Sequence, residues 1–332
     1  MDGKPARLDL NESPLPPPRE VLEAGYRALA QPHKYSAKGM LEELEDLISA
    51  YSGVEREMVA VGCGGDSILA ALLLVSRVNS DVIAIPKYSF SMYRVLARES
   101  GSRTAIVDMF EEGDRWIVRF EDLLEAAKRA SLVIVDNPNN PTGSLLLTQG
   151  MIRELAETAK GLVVVDEAYY EFSGSTAAPL VMEYGNLAVV RTFSKAFAMA
   201  GMRVGYLIAS PRIAGSVKRL FPFPTSTPSL AMAIAALANR SYVASLVEYV
   251  RSKREEVREA LRDLGMKAYR SEANFLLVNT GVENAAEKLR SRGVHVRRTE
   301  IGDSYIRVTV GSSRDMERFL DAVREISQIS QP

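Results

Sequence analysis

The sequence predicts an α/β protein in which a mostly parallel sheet lies between helices, accompanied by a smaller α+β domain. Short, uniformly apolar runs alternate with helical stretches before about Ser229, a pattern typical of parallel strands covered on both faces. After Ser229 the pattern changes to a long charged helical region followed by shorter elements. With 332 residues, 47% of them hydrophobic, the chain can bury one large core or two unequal ones.

The larger part of the chain begins with an extended amino-terminal arm. Prolines clustered between Pro14 and Pro18 favour this extended backbone, and we expect the arm on the protein surface or on a partner subunit. The apolar patterns that follow predict helices at 68–78, 92–99 and 151–159, and strands at 82–85, 132–135, 162–165 and 187–191.

The smaller domain is predicted from the last third of the chain. Its elements are helices at 244–264 and near 285–292, and strands at 275–278 and 305–310. We therefore predict an arm contributing to the small domain at 1–30, a large domain at 31–230 and a small carboxyl-terminal domain at 231–332. The boundary is open, because the proline-rich segment 221–228 could equally be an active-site loop.

Composition excludes several classes of protein. The formal net charge of -1 provides no overall field for nucleic acid or an anionic membrane. One cysteine, Cys63, excludes an internal disulfide framework and is expected to be a small packing residue, and two distant histidines make a structural zinc site improbable. The polar amino terminus and the lack of an apolar run of about 18 residues predict a cytoplasmic protein. From the cysteine and histidine content we expect no bound metal.

Four segments with polar or reactive side chains follow predicted strands, where open α/β sheets build ligand sites. The first contains Gly64, Gly65 and Asp66, directly before a predicted helix. Glycines let the backbone approach a phosphate, and a helix amino terminus supplies free N–H groups. A flexible turn with Asp66 or Ser67 as the helix cap explains the same residues.

The second and third segments place an amide and a carboxylate at neighbouring strand ends. Between Asp136 and Gly143, two prolines hold the Asn140 amide rigidly, although an ordinary tight turn is the alternative. Asp166, with Tyr169 close behind, ends an apolar strand and needs a positive partner if buried. A protonated pyridine nitrogen would be such a partner; a magnesium-binding acid is the alternative, but no P-loop accompanies it.

The fourth segment contains a lysine among small and apolar residues. Partial desolvation would lower the pKa of Lys195 and free its amine as a nucleophile toward an aldehyde. Thr192, Ser194 and Arg203 offer hydroxyl and guanidinium donors suited to a phosphate. A solvated surface lysine is the alternative interpretation.

A further arginine lies on the predicted terminal strand. Alternation places Tyr305, Arg307 and Thr309 on one face of that strand. From the residues alone, this pattern indicates a half-buried strand with a solvated polar face.

The order and spacing of these segments resemble fold-type I pyridoxal-phosphate enzymes of the aspartate aminotransferase superfamily, over nearly the whole chain. The most specific motifs are Asn139-Asn140-Pro141-Thr142-Gly143, Asp166-Glu167-Ala168-Tyr169 and Ser194-Lys195-Ala196-Phe197, with Arg203 following. The resemblance implies pyridoxal 5′-phosphate as cofactor and Lys195, Asp166 and Tyr169 as catalytic residues. Lys195 would form the Schiff base with the cofactor, and Asp166 would pair with its pyridine nitrogen.

The resemblance also assigns the residues around the cofactor. Asn140 and Tyr169 match the groups that bond its phenolic oxygen, and Phe90 matches the ring-stacking residue, although Tyr88 can be aligned there instead. The phosphate would lie against Gly64, Gly65, Asp66, Thr192, Ser194 and Arg203. Tyr35 matches a tyrosine that reaches the phosphate of the neighbouring subunit, which implies a homodimer with shared active sites.

Within the superfamily, the opening Leu10-Asn11-Glu12-Ser13-Pro14 and the residues around Lys195 look most like histidinol-phosphate aminotransferases. Those enzymes exchange the amino group of L-histidinol phosphate with 2-oxoglutarate in histidine biosynthesis. The resemblance implies that Arg307 and Asn11 bind the substrate, with Arg307 at its carboxylate or its phosphate. Leu15, where many members have an aromatic residue, leaves the substrate open. The alternatives are a threonine-phosphate decarboxylase, an aromatic or aspartate aminotransferase and, as a different class, a non-catalytic cofactor-binding module.

Overall fold

The computed structural model describes residues 4–35, 38–76 and 81–328. Its strands are β1 (Ala6–Leu8), β2 (Val59–Gly62), β3 (Val82–Pro86), β4 (Arg103–Val107), β5 (Met109–Glu112), β6 (Arg115–Val118), β7 (Leu132–Asp136), β8 (Leu162–Asp166), β9 (Leu187–Thr192), β10 (Gly205–Ala209), β11 (Lys267–Ala268), β12 (Phe275–Asn279), β13 (Val294–Thr299) and β14 (Gly302–Thr309). Its helices are α1 (Arg19–Ala28), α2 (Lys38–Ser52), α3 (Gly64–Ser76), α4 (Met92–Glu99), α5 (Phe120–Ala127), α6 (Gln149–Thr158), α7 (Tyr170–Ser173), α8 (Pro211–Leu220), α9 (Thr227–Ala238), α10 (Ser241–Asp263), α11 (Ala285–Arg290) and α12 (Ser313–Gln328).

The larger sheet has seven strands in the order β2-β10-β9-β8-β7-β3-β4. β10 runs antiparallel to both of its neighbours, and the other neighbouring pairs are parallel. The carboxyl ends of β7, β8 and β9 therefore meet at one edge, where each strand is followed by one of the polar segments. The predicted mostly parallel sheet is confirmed.

Helices cover both faces of this sheet because its central strands are apolar on both sides. On β8, Leu162 and Val164 belong to the core that contains α3, α4 and α8, whereas Val163 and Val165 face the core that contains α2, α5, α6 and α9. The two-residue period continues to the strand end. It directs Asp166 toward the side of α3 and α4.

The smaller sheet has the order β1-β13-β14-β12-β11, and α11 and α12 pack on it. β1, at the start of the chain, pairs in parallel with β13, so the amino-terminal arm is anchored on this sheet. The long helix α10 contributes residues to the cores on both sides of the junction. The division into domains at 1–30, 31–230 and 231–332 stays a prediction.

The predicted helices and strands are present with boundaries shifted by a few residues, except that 77–80 lie outside the described residues. The segment 221–226 connects α8 to α9. It does not line the cavity that lies between the strand ends of the larger sheet and β14, although the Thr225 hydroxyl donates to the Arg203 carbonyl. Among the described residues, no single helix is both long and apolar enough to cross a membrane. α9 and α10 satisfy that length and composition only as a pair bent by 81°.

Candidate active site

A cavity of about 460 Å³ lies between the strand ends of the large sheet, β14 of the small sheet and the amino-terminal arm. The structure brings nearly all of the predicted site residues to it. Those that line the cavity are Asn11, Gly65, Asp66, Phe90, Asn140, Asp166, Tyr169, Thr192, Ser194, Lys195, Arg203 and Arg307.

Lys195 lies in the loop after β9, and its amine points into the cavity. Nζ donates to the carbonyl oxygens of Leu10 and Asn11, both at 3.2 Å. Burial lowers the pKa of Lys195 to about 8, and the positive charge of Arg307 acts in the same direction. Near neutral pH a useful fraction of this amine is therefore uncharged and nucleophilic, as the sequence predicts.

Asp166 ends β8 and is 7% exposed. Its carboxylate accepts hydrogen bonds from the Tyr93 hydroxyl at 2.8 Å and from the backbone N–H of Ala168 at 3.0 Å. Burial raises the pKa of Asp166 to about 6, partly offset by these two hydrogen bonds. Within the described residues it forms no salt bridge, so the positive partner that a buried carboxylate needs is left to a ligand.

The predicted phosphate site is formed by the start of α3 and the residues after β9. α3 begins at Gly64, so Asp66 lies in the first helical turn, and the interpretation of Asp66 or Ser67 as the helix cap is wrong. The Arg203 guanidinium bonds the Asp66 carboxylate at 3.0 Å, and the Thr192 hydroxyl donates to Ser194 Oγ at 2.9 Å. Free helical N–H groups, hydroxyls and a guanidinium together suit a phosphate.

Two glycines let these segments approach each other. Gly64 has φ +76°, and a Cβ there would lie 2.5 Å from Nη2 of Arg203. A Cβ on Gly205 would lie 2.5 Å from the carbonyl carbon of Gly64. The Arg203 guanidinium occupies the space that a side chain at Gly64 would need, and β10 can lie against the start of α3 because Gly205 lacks a side chain.

The opposite wall joins the large sheet to the small one. Arg307 is 8% exposed and donates to Asn140 Oδ1 at 2.6 Å and to the Asp9 carbonyl at 2.5 Å. Thr309 beside it is also buried, so the interpretation of this strand face as solvated is wrong. Burial lowers the pKa of Arg307, and its Nε has no hydrogen-bond partner among the described residues.

The arm also enters the site through Asn11, which adopts φ +53° and is 1% exposed. Its amide donates to the Tyr169 hydroxyl at 2.9 Å, and its backbone N–H donates to Thr309 Oγ1 at 3.0 Å. Burial raises the pKa of Tyr169 to about 12, so the phenol is a hydrogen-bond donor at neutral pH. Residues 9–12 of the arm cross the cavity of its own chain, whereas Leu15, within the proline cluster, is 52% exposed at the surface as expected.

Among the predicted positions, one assignment stays open and two residues lie in a different environment. Phe90 and Tyr88 both line the cavity, so Phe90 as the stacking ring stays a prediction. Tyr35 is 81% exposed and stacks on Phe223 at 4.3 Å, away from the lining of its own cavity. Cys63 is exposed, so the expectation that it is a packing residue is wrong.

Several lining residues are not among those predicted from the sequence. Tyr93 bonds Asp166, Asp136 lies beside it, and Arg297 and Arg298 of β13 add positive charge to the small-sheet wall. Asp136 could have been predicted from the sequence, because it ends a uniformly apolar strand just as Asp166 does. The other three depend on contacts between distant segments.

The side chains that line the cavity suit pyridoxal phosphate as a ligand. A buried carboxylate without a protein cation suits a protonated ring nitrogen, and an amine of lowered pKa suits an aldehyde. The start of α3 with Arg203 suits a phosphate monoester. These three features lie in one cavity.

Comparison with known proteins agrees with this geometry. The model of the family described as "Aminotransferase class I and II" matches residues 4–323. A histidinol-phosphate aminotransferase of Sulfurisphaera tokodaii is 40% identical over 96% of this chain and 90% of its own length. Histidinol-phosphate aminotransferase 2 of Archaeoglobus fulgidus is 36% identical over 98% and 94%.

One similar solved structure contains the cofactor. The histidinol-phosphate aminotransferase of Sinorhizobium meliloti, solved in complex with pyridoxal-5′-phosphate, superposes with a TM-score of 0.87 at 25% identity. The superposition covers 99% of this chain and 92% of that one.

Proposed function

Because the chain belongs to the class I and II aminotransferase family and is a pyridoxal-phosphate-dependent aminotransferase, we propose that it transfers an amino group between L-histidinol phosphate and 2-oxoglutarate. The relatives of 33–40% identity named as histidinol-phosphate aminotransferases support this substrate. The reaction would serve histidine biosynthesis.

The observation that carries the substrate assignment is the presence of two basic regions in one cavity. Arg203 and the start of α3 account for the phosphate of the cofactor. Arg297 and Arg307, opposite each other in the register of β13 and β14, form a second basic region contributed by the small sheet; Arg298, which also lines the cavity, is paired with Asp303. L-histidinol phosphate carries a phosphate and no carboxylate, and 2-oxoglutarate carries two carboxylates, so both substrates need an anion site of this kind.

When bound, pyridoxal phosphate supplies an electron sink for the carbanion that forms when the substrate loses its α-proton. Asp166 would hold the ring nitrogen and favour its protonated form, because the carboxylate is negatively charged. Asn140 and Tyr169 offer an amide and a phenol for the phenolic oxygen. Lys195, with an amine of lowered pKa, would take the α-proton from substrate Cα and return it later in the transfer. Arm residues 9–12 narrow the cavity above Lys195 and reduce the access of water.

The assembly and location are also part of this proposal. We infer a homodimer in which Tyr35 reaches the phosphate site of the partner, and a cytoplasmic enzyme. Tyr35 and Phe223 form a stacked pair of exposed rings, which is unusual for a surface left in water. Light scattering of the purified chain at micromolar concentration should give twice the monomer mass; a monomer would contradict shared sites.

The substrate is tested by measuring glutamate formed from 2-oxoglutarate with different amino donors. L-histidinol phosphate should give a kcat/KM about tenfold or more above that of L-histidinol, because the donor without phosphate loses the charged hydrogen bonds of the second basic region. Double-reciprocal plots of rate against substrate concentration should be parallel, as a ping-pong cycle requires. The Lys195→Ala variant is the inactive control. A kcat/KM for L-histidinol or an aromatic amino acid equal to that for L-histidinol phosphate would contradict the assignment. Release of carbon dioxide from threonine phosphate would show that the chain is a decarboxylase instead.

A further inference from the structure

Asp136 is a buried carboxylate in the cavity wall to which the reaction described above gives no role. It ends β7, is 3% exposed and lies directly opposite Asp166 in the register of β7 and β8. Two buried acids side by side are costly, so the chain must gain something from the second one.

The contacts of Asp136 join two separate segments of the cofactor site. Oδ2 accepts hydrogen bonds from the backbone N–H groups of Phe90 at 3.2 Å and of Asn140 at 2.9 Å. Oδ1 accepts from Nδ2 of Asn139 at 2.8 Å, and the same Nδ2 donates to the Tyr88 carbonyl at 2.8 Å. One carboxylate therefore fixes residues that lie 46 positions away and four positions away in the chain.

We propose that Asp136 is a positioning residue whose carboxylate holds Phe90 and Asn140 in one fixed arrangement, so that both contact the bound cofactor at once. Phe90 lines the cavity on the face expected to cover the cofactor ring, and Asn140 supplies the amide for the edge of that ring. The inference rests on the proposed function, because the two segments need this alignment only to hold a rigid, planar ligand.

The donor set indicates which form of Asp136 does this. All three partners donate, so the ionised carboxylate satisfies all of them, whereas a proton on either oxygen would face a donor. Burial raises the pKa of Asp136 to about 7, the Asn140 N–H lowers it and the Asp166 charge raises it. Burial raises the pKa of Tyr93 on α4 and of Tyr169 after β8, and the charge of Asp136 in turn acts in the same direction on both. The arrangement should loosen as pH falls through about 7.

The test compares Asp136→Asn with a control of similar structural cost elsewhere in the large sheet. The amide introduced by Asp136→Asn has nearly the same shape as the carboxylate but presents a donor to at least one of the three donors. Asn186→Ala removes two side-chain hydrogen bonds, to the carbonyls of Ala156 and Gly161, at the amino end of β9. For each purified chain, the thermal midpoint without cofactor, the dissociation constant of pyridoxal phosphate and the visible circular dichroism of the bound cofactor are measured.

We expect Asp136→Asn to weaken cofactor binding about tenfold or more and to reduce the visible circular dichroism, because the ring loses its fixed surroundings. Asn186→Ala should lose a similar amount of thermal stability and leave both cofactor readouts unchanged. Equal cofactor readouts in Asp136→Asn and the wild type, or equal losses in both variants, would overturn the inference. A wild-type chain that binds no cofactor would overturn the proposed function, and the inference with it.

If Asp136→Asn does not fold, the wild-type chain without cofactor answers the same question. The amide hydrogens of Phe90 and Asn140 should both be protected from exchange at pH 8, and their protection factors should fall together as the pH drops below about 7. Protection that is absent, or that differs between the two amides in its pH dependence, would overturn the positioning role.

Discussion

The buried negative charge of Asp166 destabilises the folded chain when no cofactor is bound, so Asp166→Asn should make the cofactor-free form more stable. Burial raises the pKa of Asp166 from 3.8 to about 6, which corresponds to roughly 3 kcal/mol of destabilisation when the group is ionised. In the variant, the amide oxygen can accept from the N–H of Ala168, and the amide nitrogen can donate to the Tyr93 hydroxyl. We expect a gain of about 1–3 kcal/mol at pH 8, or roughly 2–4 °C in the melting temperature.

The pH dependence gives this prediction its sign. Because the folded-state pKa lies above the unfolded one, the cost is absent below about 3.8, grows between 3.8 and about 6, and is complete above that. The gain of Asp166→Asn should therefore shrink between pH 6 and pH 4. Calorimetry of cofactor-free chains at pH 8 and pH 5 measures it, with the surface substitution Asp263→Asn as a control that should show no such gain.

The same variant should bind the cofactor more weakly, since the ring nitrogen loses its charged partner. Stability and binding should thus move in opposite directions, as expected for a functional charge. A variant that is less stable than the wild type at pH 8, or equally stabilised at both pH values, would refute the reasoning.

Other substitutions test separate contacts of the site. Tyr93→Phe removes the hydroxyl bond to Asp166 and should raise the pKa of that carboxyl by roughly one to two units, measurable by carbon-13 NMR titration; an unchanged pKa would contradict it. Gly64→Ala should weaken cofactor binding about tenfold or more. Gly53→Ala, equally left-handed but with open space around it, should cost stability alone, so similar binding losses in both would argue against the steric reason. Arg297→Gln should raise KM for L-histidinol phosphate roughly tenfold or more, with little change for aromatic donors; an unchanged KM would exclude Arg297 from the substrate site.

The sequence predicts the site well where residues follow a regular strand. The ends of β7, β8 and β9 are marked by uniformly apolar runs that stop at a polar residue, so the sequence alone assigns Asn140, Asp166 and Lys195 to one edge of a sheet. Their meeting in one cavity follows from the parallel order of these strands.

Pairings between distant segments cannot be predicted in the same way. The hydrogen bond from Tyr93 to Asp166 joins residues 73 positions apart, and Asn11 reaches Tyr169 across 158. Nothing in the sequence near Tyr93 or Asn11 indicates which distant residue it contacts. A tyrosine on an apolar helix face, for example, is equally compatible with simple core packing. The course of the arm depends on β1 pairing with β13, which no local pattern specifies.

The antiparallel strand β10 is also absent from the predicted elements. The connection from β9 to β10 contains the Lys195 loop and one short 3-10 turn, without a crossover helix. A parallel neighbour generally needs such a helix, so the short connection forces the chain to return antiparallel. The antiparallel pairing could have been predicted only if both β9 and β10 had been recognised as strands.

The central claim is that Lys195 is the residue to which the cofactor attaches, and it can be tested directly by mass spectrometry. The purified chain is incubated with pyridoxal phosphate, reduced with borohydride to fix any lysine–cofactor bond, digested and sequenced, with Lys195→Ala treated in parallel. We predict the cofactor mass on the peptide containing Lys195 in the wild type and no labelled lysine from this cavity in the variant. Labelling of a different lysine, or of none, would contradict the account.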